Sequence, residues 1–110
     1  MEQAIAVYVE REKFLRDMME KAMLSAGIRL YTYEDRDCQH FIDDLQPNAL
    51  ILDATTVDEA FVRLYYTQIP VILLGRPDEL EKINLPVRAR MEKPIAPFEL
   101  ISELSRVLSL

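Results

Sequence analysis

The stretch NALILDATTV, residues 48–57, places Asp53 directly after four consecutive apolar residues, Ala49 to Leu52. A strand with one wet face alternates apolar and polar side chains, so an unbroken apolar run reads as a strand covered on both faces, the mark of a parallel sheet. The last residue of such a strand stands at the carboxyl edge of the sheet, where these folds hold their ligands. Asp53 is therefore a reactive carboxylate, a metal ligand or a structural residue at a strand end, and the remaining segments decide among these.

AIAVYV (4–9) and PVILLG (70–75) are likewise continuous apolar runs, too short for helices, and both read as interior strands. IRLYTYE (28–34) alternates Ile28, Leu30 and Thr32 against Arg29, Tyr31 and Tyr33. VRARME (87–92) alternates Val87, Ala89 and Met91 against Arg88, Arg90 and Glu92. Alternation assigns these two to the sheet edges.

Between the strands the apolar period lengthens. In residues 10–27, Phe14, Leu15, Met18, Met19, Ala22, Met23 and Ala26 recur at helical spacing up to Gly27, which predicts a helix with that stripe inward. DRDCQHFIDDL (35–45) sets Cys38, Phe41, Ile42 and Leu45 on one stripe ahead of Pro47. TTVDEAFVRLYYTQ (55–68) offers Thr56 and Glu59 as a capping box, with Val57, Ala60, Phe61, Leu64 and Tyr65 inward. RPDELEKINL (76–85) is a brief helix opened by Pro77, and the segment from Pro97 onward buries Leu100, Ile101, Leu104, Val107 and Leu108.

Five strands alternating with five helices predict an α/β fold, a doubly wound five-stranded parallel sheet of order 2-1-3-4-5, flavodoxin-like. Residues 1–110 read as one domain without repeat, low-complexity tract or linker.

Composition excludes several functions. Thirteen Lys and Arg against nineteen Asp and Glu leave a net charge of −6, which disfavours direct binding to nucleic acid or anionic membrane. Gly27 and Gly75 are the only glycines, so neither a P-loop nor a dinucleotide fingerprint can be drawn. A single Cys38 rules out an internal disulfide and suits a reducing compartment. With no signal-peptide pattern and no apolar run near the about eighteen residues of a membrane span, a cytoplasmic protein is expected.

At the carboxyl edge the strands end in Glu10 and Arg11, Asp53, Gly75, and Glu92 and Lys93. Over nearly its whole length the chain resembles the receiver domains of two-component response regulators. QPNALILDA (46–54) is similar to the strand that carries their phosphoacceptor, IPVILLG (69–75) to their fourth strand, and MEKPIAPFELISELSRVL (91–108) to their Lys-Pro turn and last helix. The resemblance implies that Asp53 occupies the phosphoacceptor position, that Glu10 belongs to an acidic pair holding Mg²⁺, and that Lys93 is the partner lysine.

Three positions depart from that pattern. Arg11 stands where the second acid is expected, and a guanidinium has no lone pair for a cation. Gly75 stands in place of a Ser or Thr hydroxyl, and Arg90 in place of a switch aromatic. A helix starting at Thr56 also implies a trimmed loop after Asp53. The expectation is a degenerate pseudo-receiver that is not an enzyme, carries no cofactor and no metal, and signals by protein contact. The alternative is an atypical phosphoacceptor, modified on Asp53 with Mg²⁺, as the N-terminal regulatory module of a longer transcriptional regulator whose output lies beyond Leu110.

If Mg²⁺ is excluded, Arg11 or Lys93 is expected to pair with Asp53 or Glu10 in its stead. The resemblance places the contact face on the fourth helix, fifth strand and fifth helix, displaying Arg88, Arg90, Phe98, Glu99 and Glu103 to a protein partner or to a second copy. In a homodimer each Arg meets Glu99 or Glu103 of the other chain. His40 has no His or Cys at ligand spacing and reads as a surface residue, and Cys38 as a small core residue.

Overall fold

The computed structural model describes residues 3–109, so Met1, Glu2 and Leu110 of the expected 1–110 domain lie outside the described residues. The described strands are β1 (Ala4–Val9), β2 (Ile28–Tyr33), β3 (Ala49–Asp53), β4 (Val71–Gly75) and β5 (Ala89–Glu92). The helices are α1 (Lys13–Ser25), α2 (Gln39–Leu45), α3 (Glu59–Tyr65), α4 (Pro77–Glu81) and α5 (Pro97–Leu108). All pairings are parallel and the order is β2-β1-β3-β4-β5, as the alternation of apolar runs predicts. Each residue of β3 and β4 is buried, which is why those strands show no polar alternation.

The sheet divides the core into two. On one side α1 and α5 cover Ala6, Tyr8, Ile51, Ile72 and Leu74 with Met19, Met23, Leu100 and Leu104. On the other, α2, α3 and α4 cover Val7, Val9, Leu50, Leu52 and Leu73 with Ile42, Phe61, Val62 and Leu80. The period of two along the strands thus sends alternate residues into separate helical layers.

Several helical details differ from expectation. In α1 only the methionines at 19 and 23 are fully buried, while Phe14 is 73% exposed. In α2, which begins at Gln39, Phe41 turns outward and stacks on Tyr33 at 5.1 Å.

The helix expected to start at Thr56 starts at Glu59. Asp58 is its cap, accepting from the Phe61 N–H at 2.9 Å, so the loop after Asp53 is longer than the sequence suggested. The inward set is Phe61, Val62 and Tyr65, with Ala60 exposed and Leu64 52% exposed; moving the helix start by three residues rotates the stripe.

α4 is a single turn of five residues, opened by Pro77 as expected and capped by Glu79, which accepts from the Arg76 N–H at 2.8 Å. β5 begins at Ala89, two residues later than predicted. Gly27 follows α1 with φ of 78°, a left-handed turn that glycine adopts without steric cost.

Candidate functional site

β1 and β3 end side by side, and each delivers one carboxylate to the carboxyl edge. Glu10 continues the Tyr8 face of β1 and Asp53 the Ile51 face of β3, so strand parity turns both toward the α1/α5 layer. Lys93 continues the Met91 face of β5 by the same rule; its backbone N–H extends the ladder by bonding Gly75 O at 2.9 Å. Glu10 and Asp53 are each 1% exposed and are the buried charged residues among those described, while the side chain of the lysine they share is 22% exposed.

The Lys93 ammonium joins them, with Nζ 2.5 Å from Glu10 Oε1 and 2.8 Å from Asp53 Oδ1. Asp53 Oδ2 accepts from the hydroxyls of Thr55 and Thr56 at 2.6 and 2.7 Å. Glu10 Oε1 also accepts from Tyr8 OH at 3.0 Å, and Oε2 from the Glu12 N–H at 3.3 Å. Of the two cations expected to pair with these acids, Lys93 does so. Arg11 instead clasps the following loop: its backbone N–H bonds Thr56 Oγ1 at 3.1 Å and its guanidinium bonds the Thr55 carbonyl.

The titration of the site follows from these contacts. Burial pushes the Asp53 pKa up, but donation from Lys93, Thr55 and Thr56 outweighs it and holds the carboxyl below its ordinary value. Burial pushes the Lys93 pKa down, and its bonds to Asp53 and Glu10 outweigh that and leave it raised. The Tyr8 hydroxyl is raised by burial first and then by the nearby Glu10 and Asp53 charges.

Gly75 has a packing reason. A Cβ there would lie 3.2 Å from Ala54 Cβ and 3.3 Å from Glu79 Oε1, so a larger residue requires Glu79, the cap of α4, to give way. The donor set also fits Mg²⁺ poorly. Glu10 and Asp53 each turn one carboxylate oxygen to Lys93 and the other to neutral donors, and the Thr55 carbonyl is bonded by Arg11. No group of three or more His, Cys, Asp or Glu placed to hold a metal occurs among the described residues.

Arg90 is exposed, and its guanidinium is engaged within the chain. It sits on the α4 side of β5 and donates to the carbonyls of Leu80, Ile83 and Leu85 at 2.8, 2.7 and 2.7 Å, closing the end of α4 and the loop after it. Glu103 pairs with Arg106 of its own helix, and Glu99 accepts from the Ala96 N–H at 3.3 Å as an α5 cap. Phe98 is 70% exposed and Arg88 is exposed. These two stand at opposite ends of β5: Arg88 bonds Val71 O where β4 begins, and Phe98 follows the turn after Lys93. His40 is exposed, and Cys38 is buried with its thiol pushed up to about 11 by burial and then by Asp35 and Asp37.

Sequence reasoning missed Thr55, Thr56 and Tyr8 as site residues. The available signals were the hydroxyl doublet just after Asp53 and the parity that puts Tyr8 on the face of Glu10.

No protein-family model matches the sequence, and no curated protein does. Solved structures do. The chemotaxis response regulator CheY4 of Vibrio cholerae superposes with a TM-score of 0.82 at 19% identity, over 96% of this chain and 99% of that one. The receiver domain of a signal transduction histidine kinase from Syntrophus aciditrophicus gives 0.84 at 20% identity, over 96% and 90%. NtrX of Brucella abortus, solved with ATP, gives 0.84 at 23% identity over 98% of this chain, which matches 27% of the NtrX chain. The fold is that of receiver domains.

Proposed function

We propose that this receiver-fold domain is a two-component signalling module of the pseudo-receiver kind, non-enzymatic, acting by protein contact without phosphorylation of Asp53. Arg11 carries the reading. Where the resemblance expects a second metal-binding acid, this chain places a guanidinium that binds the Thr55 carbonyl and leaves two carboxylates facing one lysine. A phosphoryl group on Asp53 would turn its one negative charge into close to two beside buried Glu10, with Lys93 as the single paired cation. Neither Lys93 nor Arg11 can bridge carboxylate and phosphoryl oxygens as a divalent ion does.

Asp53 is also less free to attack, since both oxygens are engaged by three donors. The crowded Gly75 supports the reading from the other side of the sheet, because no hydroxyl is offered to a phosphoryl oxygen there. The second reading, an atypical phosphoacceptor, rests on the retention of Asp53, Glu10 and Lys93 in mutual contact.

Incubation with acetyl phosphate and Mg²⁺, followed by intact-mass measurement, separates the two. The expected result is an unchanged mass. A stoichiometric phosphoryl adduct, absent in Asp53→Asn, overturns the pseudo-receiver reading in favour of the second.

A further inference from the structure

β2 is an edge strand with β1 as its sole neighbour in the sheet. The Glu10 N–H bonds the Tyr33 carbonyl at 2.9 Å, so strand alternation turns the backbone of Arg29, Tyr31 and Tyr33 toward β1. The N–H and C=O groups of Ile28, Leu30 and Thr32 therefore face away from the sheet. Among the described residues no side chain bonds those of Leu30 and Thr32. A groove of about 460 Å³ follows the strand, lined by residues 28–32 with Glu20 and Leu24 of α1, so the helices leave this edge uncovered. Leu24, on the wall of the groove, is 68% exposed.

Folded proteins blunt such edges with shortness, prolines, charged side chains or bulges. β5, the opposite edge, is four residues long, follows Pro86 and carries Arg90 and Glu92. β2 is longer, and its six residues, IRLYTY, include no proline and a single charge. It pairs with β1 without a bulge from Ala4 and Ile28 to Val9 and Tyr33. Strand-forming side chains thus flank an open hydrogen-bonding ladder.

The charges identify what completes it. Arg29 is exposed near the start of β2, and Glu34 and Asp35 are exposed just past its end. None of the three takes part in an ion pair among the described residues, and the next cation, Arg36, is committed to Asp58. A strand that begins basic and ends acidic is complementary to a second copy of itself laid antiparallel. Of the two centres near mid-strand, Leu30 and Tyr31, the second brings Glu34 and Asp35 closer to Arg29 of the other copy. It also sets Tyr31 against its own equivalent and Arg29 against Tyr33, whose ring is held by stacking on Phe41 at 5.1 Å.

We propose that the β2 edge binds a second copy of this chain, β2 against β2, antiparallel about a two-fold axis at Tyr31. Leu30 and Thr32 exchange backbone bonds with Thr32 and Leu30 of the second copy, and the two sheets run on as one. The surface lies on the sheet edge opposite β5, so it goes beyond the protein-contact reading and leaves the face around α4, β5 and α5 free. It stands whether or not Asp53 takes a phosphoryl group.

Sedimentation equilibrium of the 110-residue chain over a concentration series tests the proposal. One strand pair buries little surface, so the expected result is a weak dimer that fills as concentration rises into the millimolar range. Thr32→Pro removes an outward N–H and leaves the ladder to β1 intact; it should abolish the dimer while the circular dichroism spectrum stays unchanged. Arg29 is exposed, so Arg29→Glu is an arm independent of any backbone change; it should weaken the dimer about tenfold. Glu34→Arg and Asp35→Arg, added to Arg29→Glu, should restore it. Tyr31→Cys should form a disulfide-linked dimer on air oxidation, since Cys38 is buried and a non-hydrogen-bonded antiparallel pair holds its Cα atoms about 4.5 Å apart. A chain monomeric throughout, a dimer that survives Thr32→Pro or Arg29→Glu, a charge exchange that restores nothing, or a Tyr31→Cys chain that stays monomeric on oxidation overturns it.

Discussion

Lys93 Nζ lies 2.8 Å from Asp53 Oδ1, although β4 stands between the strands that lead to the two residues. The contact is set up by parity: both side chains leave the sheet on the α1/α5 side, and the lysine stem passes over the end of β4 to reach the carboxylate. The same ammonium bonds Glu10, so three strand ends are tied by one side chain. Two buried carboxylates this close would otherwise repel and be driven to protonate.

Removing that cation should therefore be costly. Lys93→Met leaves both acids buried without their shared cation, and breaking such a pair costs about 3 kcal/mol. Urea denaturation of the variant should show a midpoint lowered accordingly, and Asp53→Asn added to Lys93→Met should restore part of the loss. A midpoint unchanged in Lys93→Met would mean that solvent already carries these charges.

The pH dependence has a defined sign on each side. The Asp53 pKa is depressed in the folded chain, so its contribution is present above the ordinary value of 3.8 and is lost as pH falls through the lower folded value. The Lys93 pKa is raised, so its contribution is complete below 10.5 and is lost as pH rises through the higher folded value. For this network stability should be level through neutrality, falling only in strong acid and strong base. Asp53→Asn should flatten the acid limb; an unaltered acid limb would assign it to other carboxylates.

The fold was legible because interior and edge strands differ in pattern. Ala49–Leu52 and Ile72–Leu74 admit no polar residue, while Arg88, Arg90 and Glu92 alternate with small or apolar ones. The helix facings were less legible where short segments leave the phase open: Thr56 with Glu59 matches a capping box, yet Asp58 caps α3 because both threonine hydroxyls are held by Asp53. Charge pairing at the site followed from spacing and burial. The direction of Arg11 did not, because a long side chain at a strand end has several acceptors within reach and only the folded loop selects the Thr55 carbonyl.

Arg90 illustrates the same point and carries a prediction. Its three bonds to the carbonyls of Leu80, Ile83 and Leu85 satisfy groups that a single-turn helix leaves open. Arg90→Ala should cost about 2 kcal/mol, discounted for the partial exposure of the side chain. Arg90→Lys should recover little of it, since a point charge lacks the planar fork. Hydrogen exchange should quicken across residues 80–88. Full recovery by lysine would mean that charge alone, and not geometry, holds the segment.

The residues of the expected contact face differ in how firmly the fold engages their side chains. Arg90, though exposed, holds the end of α4, and Glu103 bonds Arg106, whereas Phe98 and Arg88 are exposed and stand apart by the length of β5. If the domain acts through a standing contact, Phe98 is its best anchor: an aromatic side chain 70% exposed on the second residue of a rigid helix loses little entropy on docking. Phe98→Ala should leave folding stability within about 0.5 kcal/mol of wild type, because the side chain contributes little to the core. Partner binding should fall by about 2 kcal/mol, roughly thirtyfold. Light scattering on wild type and Phe98→Ala gives the homodimer version of the test. A monomeric wild type excludes the second copy and leaves a different protein as partner, whereas an association untouched by both Phe98→Ala and Arg88→Glu places the contact on another face.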